Sequence, residues 1–436
     1  MTTSNKKVAK NAAWIIGIRI VQSILALVIS MLTARYLGPS NYGLISYASS
    51  VVAFVVPIMQ LGLPNILVQE IVNKSKQEGE ILGTSIVLSV ISSFACILGV
   101  VAFANIVNVG ETMTITVCAL YSLLLLARAM EIVQYWFQAK LASKYVSITS
   151  FVAYTIVSGY KIFLLATEKS IYWFAVSNAL DYAIIGLVLL IIYRKLSGTR
   201  LSFSTALAKS MLTKSRYYIV SNMMITIFAQ TDRIMLKLMI DDAAAGYYSA
   251  AVSCAGISGF VFSAIIDSMR PLIFESKKED DVAFEKNVSR LYCIVIYLSL
   301  AQSVFVTLFA LPIVNILYGS AYQKTIGILR VLVWYTTFSY IGAIRNIWIL
   351  AENKQKYLWI INLSGALTNV LLNAILIPLL GGVGAALASL ITQAYTNVII
   401  GFLINPILHN NRLMLKGCNP LQLREPLRAI FAKRKV

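Results

Sequence analysis

Residues 81–104 read ILGTSIVLSVISSFACILGVVAFA, a run without a single charged side chain. A bilayer core of about 30 Å is crossed by roughly 20 apolar residues of helix, so this run predicts a transmembrane helix. Outward from it, comparable runs fall near 12–34, 43–62, 113–136, 147–166, 171–193, 217–240, 246–269, 291–311, 326–350, 357–377 and 383–404. The sequence therefore predicts an all-α integral membrane protein of about twelve transmembrane helices. Composition agrees: 58% of the 436 residues are hydrophobic, only 13% are charged, and the mean hydropathy is +0.77. A soluble globular domain does not have this usage.

The +19 net charge points to membrane orientation rather than nucleic acid. Of the 37 Lys and Arg, 26 fall before the first run, in alternate loops and in the tail, while the opposite loops hold only Arg35, Lys169 and Lys324. Cytoplasmic loops carry such an excess, so a multi-pass protein with both termini in the cytoplasm is expected. Lys6, Lys7 and Lys10 precede an apolar stretch too long for an ordinary cleaved signal, which reads as an uncleaved first helix. The five cysteines form no CxxC pair, and neither disulfide nor metal cluster is expected.

The longest polar interruption, 194–216, separates six helices from six. This predicts an N-terminal lobe over 1–200, a cytoplasmic linker over 201–216, a C-terminal lobe over 217–404 and a basic tail over 405–436. A weak repeat at an offset of 203 residues relates Asn41-Tyr42-Gly43 and Ala48 to Ala245-Gly246-Tyr247 and Ala251. Parallel duplication would produce it; so would the ordinary abundance of Gly and aromatics at helix ends.

No nucleotide loop, HExxH or GxSxG occurs, and His409 in the tail is the sole histidine. Neither an enzyme nor a cofactor is expected. Function is sought instead among charges at membrane depth, each costing about 2.5–3.5 kcal/mol near a helix centre. Arg128 with Glu131, and Asp267 with Arg270, are each three residues apart on one helix and read as structural ion pairs. Arg233 and Lys237 stand one turn apart with Asp232 beside them. Two stacked cations suit a diphosphate, while snorkelling to headgroups fits the same positions. Arg19 and Arg345 lie deeper, and Lys161 near the outer end of its helix; with Arg233 and Lys237 they form the expected cationic cavity. Asp181, mid-helix, and Asp232 are candidates for ion coupling, a desolvated carboxyl being able to change protonation with hydration. An interhelical hydrogen bond explains Asp181 as well.

Lys10-Asn11-Ala12-Ala13-Trp14, leading to Ala34-Arg35-Tyr36-Leu37-Gly38-Pro39-Ser40-Asn41-Tyr42-Gly43, resembles the start of polysaccharide flippases of the Wzx type, in the multidrug/oligosaccharidyl-lipid/polysaccharide (MOP) exporter superfamily. Thr231-Asp232-Arg233-Ile234-Met235-Leu236, Leu317-Tyr318-Gly319-Ser320-Ala321-Tyr322 and Gly382-Val383-Gly384-Ala385-Ala386 are similar to the same family, in order along nearly the whole chain. The resemblance implies a V-shaped bundle of two six-helix lobes, like that of MATE transporters, around a cavity opening alternately to either side. Its implied cargo is an undecaprenyl-diphosphate-linked oligosaccharide, moved across the bacterial inner membrane for O-antigen, capsule or exopolysaccharide synthesis. Polysaccharide polymerase machinery is an implied partner. A multidrug extruder of the superfamily would favour acidic cavity residues, a lipid II flippase often carries two further helices, and a glycosyltransferase would need a large acidic loop where 194–216 has no acid.

Overall fold

The computed structural model describes residues 3–197 and 199–420, with side chains from residue 21 onward. Among the described residues every regular element is helical. Two compact units divide the chain, Met1–Lys237 and Leu238–Val436.

The first unit opens with α1 (Thr3–Met59), which is two helical stretches joined at Gly38. Gly38 takes a φ of 70°, and Pro39, lacking an N–H, starts the second stretch. The chain turns again at Leu61 and Gly62, both at positive φ, into α2 (Pro64–Asn73). There follow α3 (Glu78–Val107), α4 (Thr112–Glu131), the short α5 (Gln134–Ala139), α6 (Ser143–Ala166) and α7 (Ile171–Ser197). The unit closes with α8 (Thr205–Met239), all but its last residues.

Apolar side chains gain little by leaving lipid for a protein interior, so small residues and interhelical hydrogen bonds decide packing. On α3, Ser85, Ser89 and Ser93 form a buried seam at four-residue spacing, and Ser93 Oγ donates to the Leu125 carbonyl of α4 at 3.0 Å. At one end of the unit, Trp136 packs edge-on against Phe137 and Tyr193, joined by Leu67, Leu207 and Met211. The segment leading into α8 lies along α3: Ser204 N donates to Thr84 Oγ1 at 3.0 Å, and Gly79 and Gly83 admit the backbones of Arg200 and Ser202. Residues 205–216 are thus the first turns of α8, fixed by Lys214 Nζ on Glu70 Oε1 at 2.5 Å and by Gly62 lying against the Ser215 carbonyl.

The second unit contains α9 (Asp242–Gly256), α10 (Gly259–Glu279), α11 (Asp281–Leu308), α12 (Ala310–Leu317), α13 (Lys324–Ala351), α14 (Leu358–Leu380), α15 (Gly382–Ala394), α16 (Ile400–Leu403) and α17 (Asn405–Gly417). A π-helical turn, Tyr395–Ile399, joins α15 to α16. The core runs from Phe262 and Ile266 through Tyr292 and Trp348 to Ile407 and Met414. His409, read from sequence as a tail residue, lies on α17 with Nε2 2.9 Å from Glu285 Oε1.

Nine helices among the described residues are long and apolar enough to cross a membrane, or ten when the pair α9 and α10, bent by 44°, counts as one. The expectation of about twelve differs for two physical reasons. The first two runs follow one another through the kink at Gly38 and count together as one span, Val21–Asn73, and α8 carries Asp232, Arg233 and Lys237 in its apolar stretch.

Candidate functional site

Two groups of charges among the helices of the first unit and one buried guanidinium in the second hold the candidates. The first cluster depends on a glycine. At Gly186 of α7 a Cβ would come within 2.7 Å of Met130 Cβ on α4, so only glycine permits this approach of the two helices. That approach brings Tyr182 under Arg128, whose Cζ lies 5.0 Å from the ring centroid. Arg128 Nε also faces Glu131 Oε2 at 3.9 Å, an ion pair without a hydrogen bond. Asp181 Oδ1 accepts the Tyr182 backbone N–H at 2.9 Å and interacts electrostatically with both Lys161 and Arg128. Lys161, on α6, donates from Nζ to Asn178 Oδ1 at 2.9 Å, one turn of α7 before Asp181. Two cations and two acids therefore share one set of helices, balanced in formal charge. Arg128 and Glu131 belong to the same field as Lys161 and Asp181, which sequence spacing treats separately.

The second cluster follows α8. Asp232 is buried. Arg233 Nη1 donates to Gln230 Oε1 at 2.8 Å, and the same oxygen accepts Ser50 Oγ of α1 at 3.1 Å. One turn on, Lys237 is 7% exposed. Its Nζ donates to Asn108 Oδ1 at 2.7 Å and Glu111 Oε2 at 2.5 Å, and lies 5.4 Å above the Tyr47 ring. Glu111 stands between α3 and α4, outside the spans. The hydrogen bond from Lys237, then that from Thr114, holds its carboxyl below the ordinary value of 4.5. Asn108 and Glu111 give no signal in the sequence, because the partner they hold is more than a hundred residues away.

In the second unit Arg345 of α13 is 3% exposed, and among the described residues no carboxylate pairs with it. Its Nη1 donates to the Thr396 carbonyl in the π-helical turn, Nη2 donates to Asn346 Oδ1 at 3.1 Å, and Nε has no partner. A π-turn shifts the helical hydrogen-bond register, and the guanidinium serves a carbonyl within it. Gly342 and Gly365 leave room for the Asn397 and Thr396 side chains. On α14, Asn373 Nδ2 donates to Asn369 Oδ1 at 3.1 Å, a buried ladder that sequence reading missed. Asp267 and Arg270 pair at 3.2 Å on α10, both at least half exposed. Arg19 lies outside the described side chains.

The family of polysaccharide biosynthesis proteins matches residues 8–277. No curated protein matches the chain. Among solved structures, the chain is similar to the lipid II flippase MurJ in an inward closed conformation, with 15% identity, a TM-score of 0.75, and coverage of 93% of this chain and 90% of that one. It is also similar to an inward-facing multidrug resistance MATE transporter of the MOP superfamily, at 15% identity and a TM-score of 0.65 over 90% and 95% of the two chains. A eukaryotic MATE transporter matches at 14% identity and a TM-score of 0.62, over 94% and 98%. The fold is the one these proteins share, and the proteins compared are transporters and flippases rather than enzymes.

Proposed function

As the chain belongs to the polysaccharide biosynthesis protein family, we propose that it is a flippase for undecaprenyl-diphosphate-linked oligosaccharides in the bacterial inner membrane. The observation that carries this reading is a guanidinium buried without a carboxylate, Arg345, in a chain of that family. Such a cation at membrane depth is costly and suits an anionic headgroup.

Arg19, Lys161, Arg233 and Arg345 are the residues proposed to meet the diphosphate, with the polyprenyl tail left in lipid. Lys237 is the fifth candidate; two of its three donors go to Asn108 and Glu111, so its role in this reading is to hold α8 and supply charge. Movement is proposed as alternating access of six-helix lobes, 1–200 and 217–404, with both termini cytoplasmic. Asp181, beside Lys161 and Arg128, is the proposed coupling acid, and Asp232 the second candidate. The product would pass to polysaccharide polymerase machinery.

A second reading, export of cationic drugs, draws on Asp181 and Glu131, two acids in one field. One assay separates the two readings. A fluorescent undecaprenyl-diphosphate-sugar is followed in proteoliposomes under an imposed pH gradient, for the wild type, Arg233→Ala and Arg345→Ala. Gradient-sensitive flipping that the substitutions abolish is expected. Absence of flipping across several sugar headgroups, with efflux of a cationic dye, moves the chain to drug export.

A further inference from the structure

A groove of about 480 Å³ runs along the second unit, between the α9–α10 break and the junction of α11 with α12. Ile257 at the break forms one wall; Val306, Phe305, Phe309 and Ile313 form the other. The Phe305 and Phe309 rings lie 4.7 Å apart, and the lining contains no charged side chain. Its edge is exposed apolar surface, with Phe305 57% and Ile316 70% accessible. Ser258 and Gln302 are the polar residues of the lining; the rest is apolar and open at its edge, so in a membrane-embedded chain hydrocarbon covers that part.

The end of the groove indicates which hydrocarbon. Leu317, in the lining, is followed by Tyr318, whose ring is 5.3 Å from that of Tyr322. Tyr322 meets Tyr247 edge-on at 6.0 Å, and the exposed Lys324 places Nζ 5.8 Å over Tyr247. Tyr318 and Tyr322 are buried and pack the turn that carries the exposed Lys324, seven residues past Leu317, so apolar groove and cation follow one another in the order of chain and headgroup in an anionic phospholipid. From Gln302 to the end of α11 at Leu308 the helix rises about 9 Å, within the roughly 15 Å depth of one leaflet's hydrocarbon.

We infer that this groove holds one acyl chain of an anionic phospholipid whose headgroup is met by Lys324. The site is separate from the described cargo candidates, since none of Lys161, Arg233 or Arg345 lines it. A seated chain rests against Ile257, at the 44° bend between α9 and α10.

The test uses the full chain in nanodiscs containing a trace of phosphatidylglycerol with a photoactivatable diazirine in mid-chain. After irradiation, labelled peptides are mapped by mass spectrometry. Label is expected to concentrate on α11 and α12, well above the equally lipid-accessible Leu379 of α14, 72% exposed. It is expected to disappear in Ile313→Trp and Val306→Trp, each checked for monodispersity. In the wild type, unlabelled phosphatidylglycerol should displace the probe and undecaprenyl phosphate should not, an arm that needs no variant. Lys324→Gln should remove a preference for phosphatidylglycerol over phosphatidylcholine of roughly fivefold, which is what one Lys at a membrane surface contributes. Label spread in proportion to exposure overturns the site. Displacement by undecaprenyl phosphate alone overturns the occupant, and equal labelling by both headgroups overturns the role of Lys324.

Discussion

Lys237 Nζ on α8 and Glu111 Oε2 beside α4 lie 2.5 Å apart although 126 residues separate them. The lysine is buried and the carboxylate is half exposed, so the pair fastens the end of α8 to the α3–α4 turn with one partner still in water. Because Lys237 lowers the folded-state pKa of Glu111, the pair's stabilisation is complete above the ordinary value of 4.5 and is lost as pH falls through the lowered one. Glu111→Gln should lower thermal stability at pH 7 by about 1–2 kcal/mol, a buried-pair loss discounted for the exposed carboxylate. It should also flatten the acid limb of stability against pH. Lys237→Met should cost less than Glu111→Gln, since it removes the buried charge instead of orphaning it. Thermal unfolding in detergent between pH 3.5 and 7 checks all three.

Gly186 sets the distance between α7 and α4, and with it the contact of Arg128 with Tyr182. Gly186→Val should destabilise by about 1–3 kcal/mol through overpacking. Gly159→Ala on α6, where a Cβ would meet nothing within 4 Å, should be neutral or stabilising by up to about 1 kcal/mol. Comparison of melting temperatures decides; equal losses at the two sites would remove the steric explanation.

Asp181→Asn keeps the hydrogen bond from the Tyr182 N–H and removes the charge facing Lys161 and Arg128. If Asp181 couples an ion, flipping down a cargo gradient should persist while its response to an imposed pH gradient falls about tenfold or more. Loss of both activities with unchanged stability would assign Asp181 to cargo handling instead.

Arg345→Lys keeps the charge but loses the planar fork that reaches both the Thr396 carbonyl and Asn346. Stability should fall by about 1–3 kcal/mol, the range for losing charged hydrogen bonds. Hydrogen exchange should rise in 395–399 rather than across α13. Exchange unchanged in the π-turn would show that Thr396 does not depend on the guanidinium.

The long apolar runs and the Gly38-Pro39 break were legible in the sequence because hydrophobic length and backbone chemistry are local. The start of α8 was not. Lys209, Lys214 and Arg216 give residues 201–216 the polarity of a linker, yet Leu207, Met211 and Ser215 recur every four residues and are all buried. That periodicity was the available signal. The depth of Arg233 and Arg345 could be read from run boundaries, but their neighbours could not. Gln230 meets Ser50, Lys237 meets Glu111 and Arg345 meets Thr396 only through tertiary packing, and nothing in local sequence marks a π-turn at 395–399.

The docking of 199–216 along the first unit bears on how the gene could be divided. Two polypeptides expressed separately would each need to keep their own packing partners. A cut within 201–216 would separate α8 from Glu70, Glu111 and the backbone at Gly62, or from the segment before it that lies on Thr84, Gly79 and Gly83. A cut at Ile240-Asp241 would leave those contacts whole, so complementation by split halves should succeed there and fail a helix earlier.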